Sequence, residues 1–502
     1  MKNITKRIMA TVLMVALCIG IVGTIDTKPA QAATTYMTRY DFIANLVATL
    51  KNKTTAKDSS FAGKKITLNS YDSGKITVAG KTVSATKVKA YKVRFNVTLK
   101  EAQVIAAAIT LGLMKSTTFT SVKSSVLRKD AAVMLAKAEE LLYGKKYSAE
   151  DVDFVVKNRI SDIKKITNST NKKWFAKAYM AGYMKGTSTG AYSTTRTFKP
   201  GAKLSVSTAK NMITLLTSTS KRYPLSPDWQ VCRTTKLPRN AELYPYIIDS
   251  IPNGYYETGF NGFGTKDFFT TGIGTRTVSE MLSAQYGGDW LRPAYIAEFN
   301  ALEYPWKDKS FIRIGREYMP ENRNNDIVKG LVESSVEFYT YALNVNYKTI
   351  KKDKEWRSVM SKYLTDAQID EYIEHCIENK TIIECDNVGA DVSGVYWFEG
   401  AYDCKVYAHV RFVSDIPLEN KKDNDNEYGT LFPIRRGHIL GDRYSRLLLF
   451  GYMDYEMGTW IDYYFNTEAD PDGPGYLDTS LTTIYDIMIN QSGAYPWLLK
   501  FD

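Results

Sequence analysis

Outside its first 32 residues the chain carries three histidines, His375, His409 and His438, and four cysteines, Cys232, Cys376, Cys385 and Cys404. These side chains could supply a nucleophile, a proton shuttle or a soft metal ligand. His375 directly precedes Cys376, but consecutive helix residues point about 100° apart, so adjacency does not make them nucleophile and base. Cys376 reads as a small apolar core residue. His409 shares a strand face with Lys405, Tyr407 and Arg411, the pattern of a solvated face or pocket rim rather than a metal site. The zinc-protease spacing H-E-x-x-H and paired-cysteine zinc spacings do not occur. Asp423 to Glu427 and the run Asp470-Pro471-Asp472-Gly473-Pro474-Gly475 with Asp478 are acidic enough for calcium, yet neither keeps the EF-hand spacing, and turn chemistry accounts for both. The sequence therefore predicts no catalytic residue, no metal and no cofactor. Four exported cysteines allow three disulfide pairings in an oxidising exterior, and none in a reducing one.

A second chemistry, anion recognition, is offered by two helix starts. Thr38-Arg39-Tyr40-Asp41 and Leu127-Arg128-Lys129-Asp130 each lead into an apolar-periodic run. An acid in the first turn suits the helix macrodipole, and Thr38 can cap the first of these helices. An arginine there is unfavourable by itself, so Arg39 and Arg128 call for a partner, either the neighbouring acid, a second helix or an anionic ligand. A third segment, Ser205-Val206-Ser207-Thr208, aligns with the other two. Upstream of the second and third lie Gly112-Leu113-Met114-Lys115-Ser116 and Gly182-Tyr183-Met184-Lys185-Gly186, each closing an alanine-containing helical stretch. The repeated unit reads helix, glycine-ended turn, loop, second helix.

The run Ile160-Ser161-Asp162-Ile163, Trp174-Phe175-Ala176, Gly182-Tyr183-Met184-Lys185-Gly186, Phe198-Lys199-Pro200 and the helix from Leu204 resembles an S-layer homology repeat. That family's pattern is an FxDV-like opening, a WA-containing helix, a glycine turn, an FxP loop and a TRAE helix start. The other two segments are similar to degenerate copies. The resemblance spans residues 33–222 and implies a mainly α-helical three-repeat bundle that binds pyruvylated secondary wall polysaccharide non-covalently. Carried over, it implies wall-polymer contacts at Arg39, Asp41, Arg128, Asp130, Trp174, Lys185 and Gly186. The third copy has Val206 and Thr208 where the family has its arginine and acid, and the second lacks the tryptophan and has a shorter loop. Between copies one and two, Lys64 to Thr98 alternates apolar and polar residues around Asp72-Ser73-Gly74 and Gly80, which reads as an inserted β-hairpin.

Charge divides the chain the same way. Residues 33–222 hold 34 basic and 11 acidic side chains, and residues 223–502 hold 28 basic and 42 acidic, within a formal total of +12. So uneven a split argues for two regions with different partners. Residues 1–32 read as a signal peptide: Lys2, Lys6 and Arg7, an apolar run from Ile8 to Ile25, then Ala30-Gln31-Ala32 as a cleavage site. No later run is long enough to span a bilayer, so no transmembrane segment is expected after cleavage. For an exported chain the fitting polyanion is a cell-wall polymer, not nucleic acid.

Beyond the proline-marked junction at Lys221 to Pro227 lies a Tyr/Gly-rich irregular region, 223–320. An α+β domain follows over 321–502. There the pattern predicts helices from Asp326 and from Thr365. Strands are predicted at Thr381–Cys385, Gly394–Glu399, Cys404–Val413, Arg446–Met457 and Thr459–Phe465, forming an antiparallel sheet. This element order is similar to a nuclear-transport-factor-like cone. The expectation is a multidomain surface protein held to the cell wall, with a C-terminal ligand-binding or adhesive domain. The alternative is a wall-acting glycan or peptide hydrolase on the same anchor.

Overall fold

The computed structural model describes residues 35–54, 66–67, 74–78, 81–238, 241, 246–257, 270–271, 274–275, 327–378, 380–398, 401–414 and 458–468. The predicted signal peptide, His438, both acidic turns and the predicted strand Arg446–Met457 lie outside them.

Three helices begin at the three aligned segments: α1 (Arg39–Thr54), α4 (Arg128–Tyr143) and α7 (Val206–Thr217). The residues just ahead of them close a ring of backbone hydrogen bonds. Met37 N–H donates to the Leu204 carbonyl (3.0 Å), Leu204 to Val126 (3.1 Å), and Val126 to Met37 (2.9 Å). A second ring runs two residues on, from Arg39 to Ser124 (2.9 Å), Arg128 to Ala202 (2.8 Å) and Val206 to Thr35 (3.0 Å). The three copies are thus related by a pseudo-threefold arrangement in which each copy's loop satisfies the next helix's orphan N–H groups. That explains how Leu127 stands at the cap position of α4 with no side-chain cap: Arg128 and Lys129 donate instead to Ala202 and Pro200. Where no such loop contributes enough, a side chain does, as Ser205 accepts from Thr208 N–H.

The three inner helices pack on one another. Around them α3 (Leu99–Thr110) lies against α1, and α6 (Ser169–Met180) against α4, with α2 (Ala85–Phe95) on α3 and α5 (Ala149–Asn158) on α6. One continuous apolar core fills the assembly, including Phe42, Leu46, Leu135, Phe175 and Leu216. Arg222 crosses α7, donating to the Leu215 carbonyl (2.9 Å), to Glu139 (2.6 Å) and to the Tyr183 hydroxyl (3.0 Å).

The insertion between copies differs from the hairpin read in the sequence. Strands β1 (Ile66–Thr67), β2 (Ile76–Val78) and β3 (Lys81–Val83) pair antiparallel, but alternation stops at Val83 and Ser84 caps α2. Val88, Tyr91 and Phe95 then recur at helical spacing and are buried, so the last part of the segment, Ala85–Phe95, is helix.

In the C-terminal region α9 (Ile327–Ala342), α10 (Lys354–Met360) and α11 (Asp366–Glu378) share one core with a four-stranded antiparallel sheet. With β4 (Ser188–Thr189) and β5 (Arg196–Thr197) forming a small ribbon in the bundle, the sheet strands are β6 (Val345–Asn346), β7 (Ile382–Phe398), β8 (Ala401–Phe412) and β9 (Trp460–Glu468). Their spatial order is β9-β8-β7-β6. The two strands read at Thr381–Cys385 and Gly394–Glu399 are one strand. The polar stretch between them continues because both faces are covered. Val388, Ala390 and Val392 face the helices, while Asp391 accepts from the buried Tyr256 hydroxyl (2.8 Å) on the other side. Gly389 is a close-approach position, since a Cβ there would lie 3.0 Å from Ile251 Cγ1.

Part of the region predicted to be irregular, residues 223–238 together with 246–257, is a docking segment. Residues 246–257, ending in the short helix α8 (Asn253–Glu257), cover the sheet through Ile248, Ile251, Tyr255 and Tyr256. A buried ion triad joins bundle, segment and α9. Arg159, with no exposed side-chain surface, pairs with Asp228 (3.1 Å) and Glu333 (2.6 Å). Burial pushes the Glu333 carboxyl up to about 7 although Arg159 pulls it down, and 21 % of its side chain still reaches the surface. Lys329 on α9 also pairs with Asp151 on α5 (3.1 Å). The four cysteines are buried free thiols, and burial raises Cys376 and Cys385 to about 12, which leaves them inert as nucleophiles near neutrality. No helix among the described residues is long and apolar enough to cross a membrane.

Candidate anion-binding clefts and a junction cavity

The seven residues singled out in the sequence are not gathered in one place. Asp41 is a capping residue: it is exposed, accepts from the Thr38 hydroxyl (2.6 Å), and Thr38 Oγ1 accepts from Asp41 N–H (3.0 Å). Arg39 turns to the next copy. It donates to the Ser121 carbonyl (2.9 Å) and lies 4.7 Å over the Phe119 ring, leaving Nε buried without a partner. The acid it interacts with is Asp130, whose carboxyl is raised by burial and drawn back by Lys129 and Arg39.

Lys137 lies seven residues beyond Asp130, two turns along the same face of α4. Its ammonium sits 5.7 Å from the Trp174 ring of α6, and Lys177 lies 4.3 Å from that ring. Burial, and then the charge of Lys115 in the glycine turn, holds Lys137 below the ordinary lysine range. The acid beside these cations is Glu140, paired with Lys177 at 3.5 Å, while the half-buried Asp130 interacts with Lys129 and Arg39. The first cleft is therefore a half-buried aromatic with two ammonium groups, Lys137 and Lys177, over its ring.

Arg128 occupies the corresponding place one copy on. It donates to the Phe198 carbonyl (2.5 Å), burial lowers its pKa, and Asp162 offsets that. Asp162 itself accepts from Phe198 N–H (3.0 Å) and Lys199 N–H (2.8 Å), so the acid of the FxDV-like opening shapes the FxP-like loop. Lys185 is exposed in the glycine turn that corresponds to that of Lys115. By the pseudo-threefold register, Thr208 stands for Asp130 and Leu215 for Lys137 in this second cleft, so it holds fewer charges than the first.

Gly186 serves the backbone. Its φ of +85° is a glycine conformation, and a Cβ would lie 2.9 Å from Arg196 Cβ and 3.2 Å from the Thr197 carbonyl. Gly186→Ala is expected to destabilise the fold by about 1–3 kcal/mol, read as a lower urea midpoint with an unchanged slope. An unmoved midpoint would show that the ribbon yields freely.

Three features escape sequence reasoning. Lys137 and Lys177 needed the packing of α6 on α4 to meet over Trp174, although the Asp130-to-Lys137 spacing was visible. The long loop of the third copy docks the C-terminal region: Ser193 donates to the Val388 carbonyl and Thr194 to Glu333 (3.5 Å). Finally, the G-x-S-x-G spacing of a nucleophile elbow, expected from the sequence to be absent, does occur at Gly186-Thr187-Ser188-Thr189-Gly190. That motif acts from a sharp strand-to-helix turn. Ser188 instead sits exposed in β4, paired with Thr197 of β5.

A cavity of about 520 Å³ lies not in these clefts but where the Thr189–Ser193 loop meets the sheet. No family model, curated protein or solved structure matches the chain.

Proposed function

We propose that the helical bundle holds this protein to an anionic, pyruvate-bearing secondary polysaccharide of a cell wall, and that the C-terminal α+β region is thereby displayed at the cell surface to bind ligand or partner. The observation that carries the reading is the first cleft. Lys137 and Lys177 flank the half-buried Trp174, Lys115 lies beside Lys137, and Glu140, the acid next to Lys177, is already paired with it. A pyranose ring can stack on the indole while a carboxylate of the same polymer relieves the repulsion between Lys115 and Lys137. The net positive charge of residues 33–222 draws such a polymer in over the range of a Debye length.

The test is co-sedimentation of the chain from residue 33 onward with purified wall sacculi, before and after the secondary polymer is removed by mild acid, across a salt series. Retention that vanishes with the polymer and weakens with salt is the expected result. Retention that survives stripping, or never occurs, would overturn the anchoring role and leave the bundle as a scaffold.

A further inference from the structure

The junction cavity is lined by the bundle loop Thr189–Ser193 on one side and by residues of α9, β7, β8 and β9 on the other. Sites between packed units are where ligand pockets concentrate, and about 520 Å³ is within the range that encloses a small molecule. The register of the sheet assembles its polar wall. His409 on β8 stands opposite Asp462 on β9 and Asn387 on β7. Asp386 Oδ1 lies 2.7 Å from His409 Nδ1, and Asp462 Oδ1 accepts from the Tyr407 hydroxyl at 2.9 Å. The imidazole is held in place by stacking on Trp460, with ring centres 4.8 Å apart.

Two features define what would bind. The lining includes two carboxylates, Asp386 and Asp462, and neither lysine nor arginine. The nearby cations are committed elsewhere, Arg411 to Glu384 and Arg196 to Asp249. Each carboxylate uses one oxygen internally, and its Oδ2 has no hydrogen-bond donor among the described residues. Tyr192 and Tyr407 also border the space, and aromatic rings favour a cation over their faces. A neutral polyol would satisfy the acceptors but leave Asp462 uncompensated and Asp386 with His409 alone, and an anion would be repelled.

We propose that this cavity is a binding site for a small organic cation, a ligand with a protonated amine that bridges Asp386 and Asp462. It is separate from the wall clefts and does not depend on the anchoring role. The probe pair is glucosamine and glucose, which differ by an ammonium in place of a hydroxyl, titrated calorimetrically into the chain from residue 33 onward at pH 6.5. Glucosamine is expected to bind at least about tenfold more tightly than glucose. Asp386→Asn and Asp462→Asn should each weaken it about tenfold. Asp153→Asn on the exposed face of α5 should leave it unchanged. The asparagine at 462 keeps an oxygen for Tyr407, and an unshifted ligand-free melting temperature establishes that each variant is folded. Equal binding of the two sugars, no heat from either, or glucosamine binding indifferent to both asparagine variants would overturn the proposal.

Discussion

Replacing Arg159 by methionine should lower the unfolding free energy by about 3–5 kcal/mol. The guanidinium is spent entirely inside the protein: Nε donates to the Asp228 carbonyl (2.9 Å), one terminal nitrogen to the Asn158 carbonyl (2.9 Å) and Glu333 (2.6 Å), the other to the Asp228 carboxylate (3.1 Å). Methionine fills much of the space against Phe154 but compensates no charge. The two acids then fare differently. Glu333, already pushed up to about 7, can take a proton, whereas Asp228 has no exposed surface and keeps only the Ser226 hydroxyl and Gln230 amide as donors. The cost is therefore assigned to Asp228. The double change Arg159→Met with Asp228→Asn should recover at least about 1 kcal/mol of it, because coupled neighbours are non-additive. Urea unfolding followed by circular dichroism measures both. A midpoint unmoved by Arg159→Met would mean that the triad contributes nothing to holding α9 against α5.

The position of Arg159 also shows where the sequence stops being informative. It stands one residue before the FxDV-like opening, and its nearest acidic partner is 69 residues away, with no periodicity or motif linking the two. The helix starts at Arg39 and Arg128 were legible because capping and apolar spacing are local. That each is completed by a neighbouring copy's loop was not, because Ser124 and Ala202 act through their carbonyls, and any residue type supplies one. Asp41 and Asp130 looked alike for the same local reason. The residue ahead of each helix separates them: Thr38 exchanges capping bonds with Asp41 at the surface, whereas Leu127 offers no side-chain cap and Asp130 interacts with Arg39 of the neighbouring copy. In the C-terminal region, polar residues between two apolar runs of β7 suggested a break. They persist because residues 246–257, far away in sequence, cover that face.

Lys137→Met should have opposite effects on stability and on binding, which separates a ligand contact from a packing role. Without polymer, the ammonium of Lys137 is half-buried beside the charge of Lys115, and both depress its pKa. Its gains are the face of Trp174 and one long hydrogen bond to the Leu113 carbonyl (3.5 Å). A methionine of similar reach keeps contact with the indole and removes the like-charge repulsion, so the urea midpoint should hold or rise. Under the proposed anchoring role the same ammonium is the cation that meets the polymer, and its loss should weaken retention on sacculi about tenfold. Adding Lys115→Ser should weaken retention further and flatten the salt dependence, since fewer charges then meet the polymer. A packing role alone would lower the midpoint and leave retention of the folded fraction intact. A polymer contact raises or holds the first while lowering the second, and Trp174→Leu, which removes the stacking face between the two lysines, should follow it in losing retention.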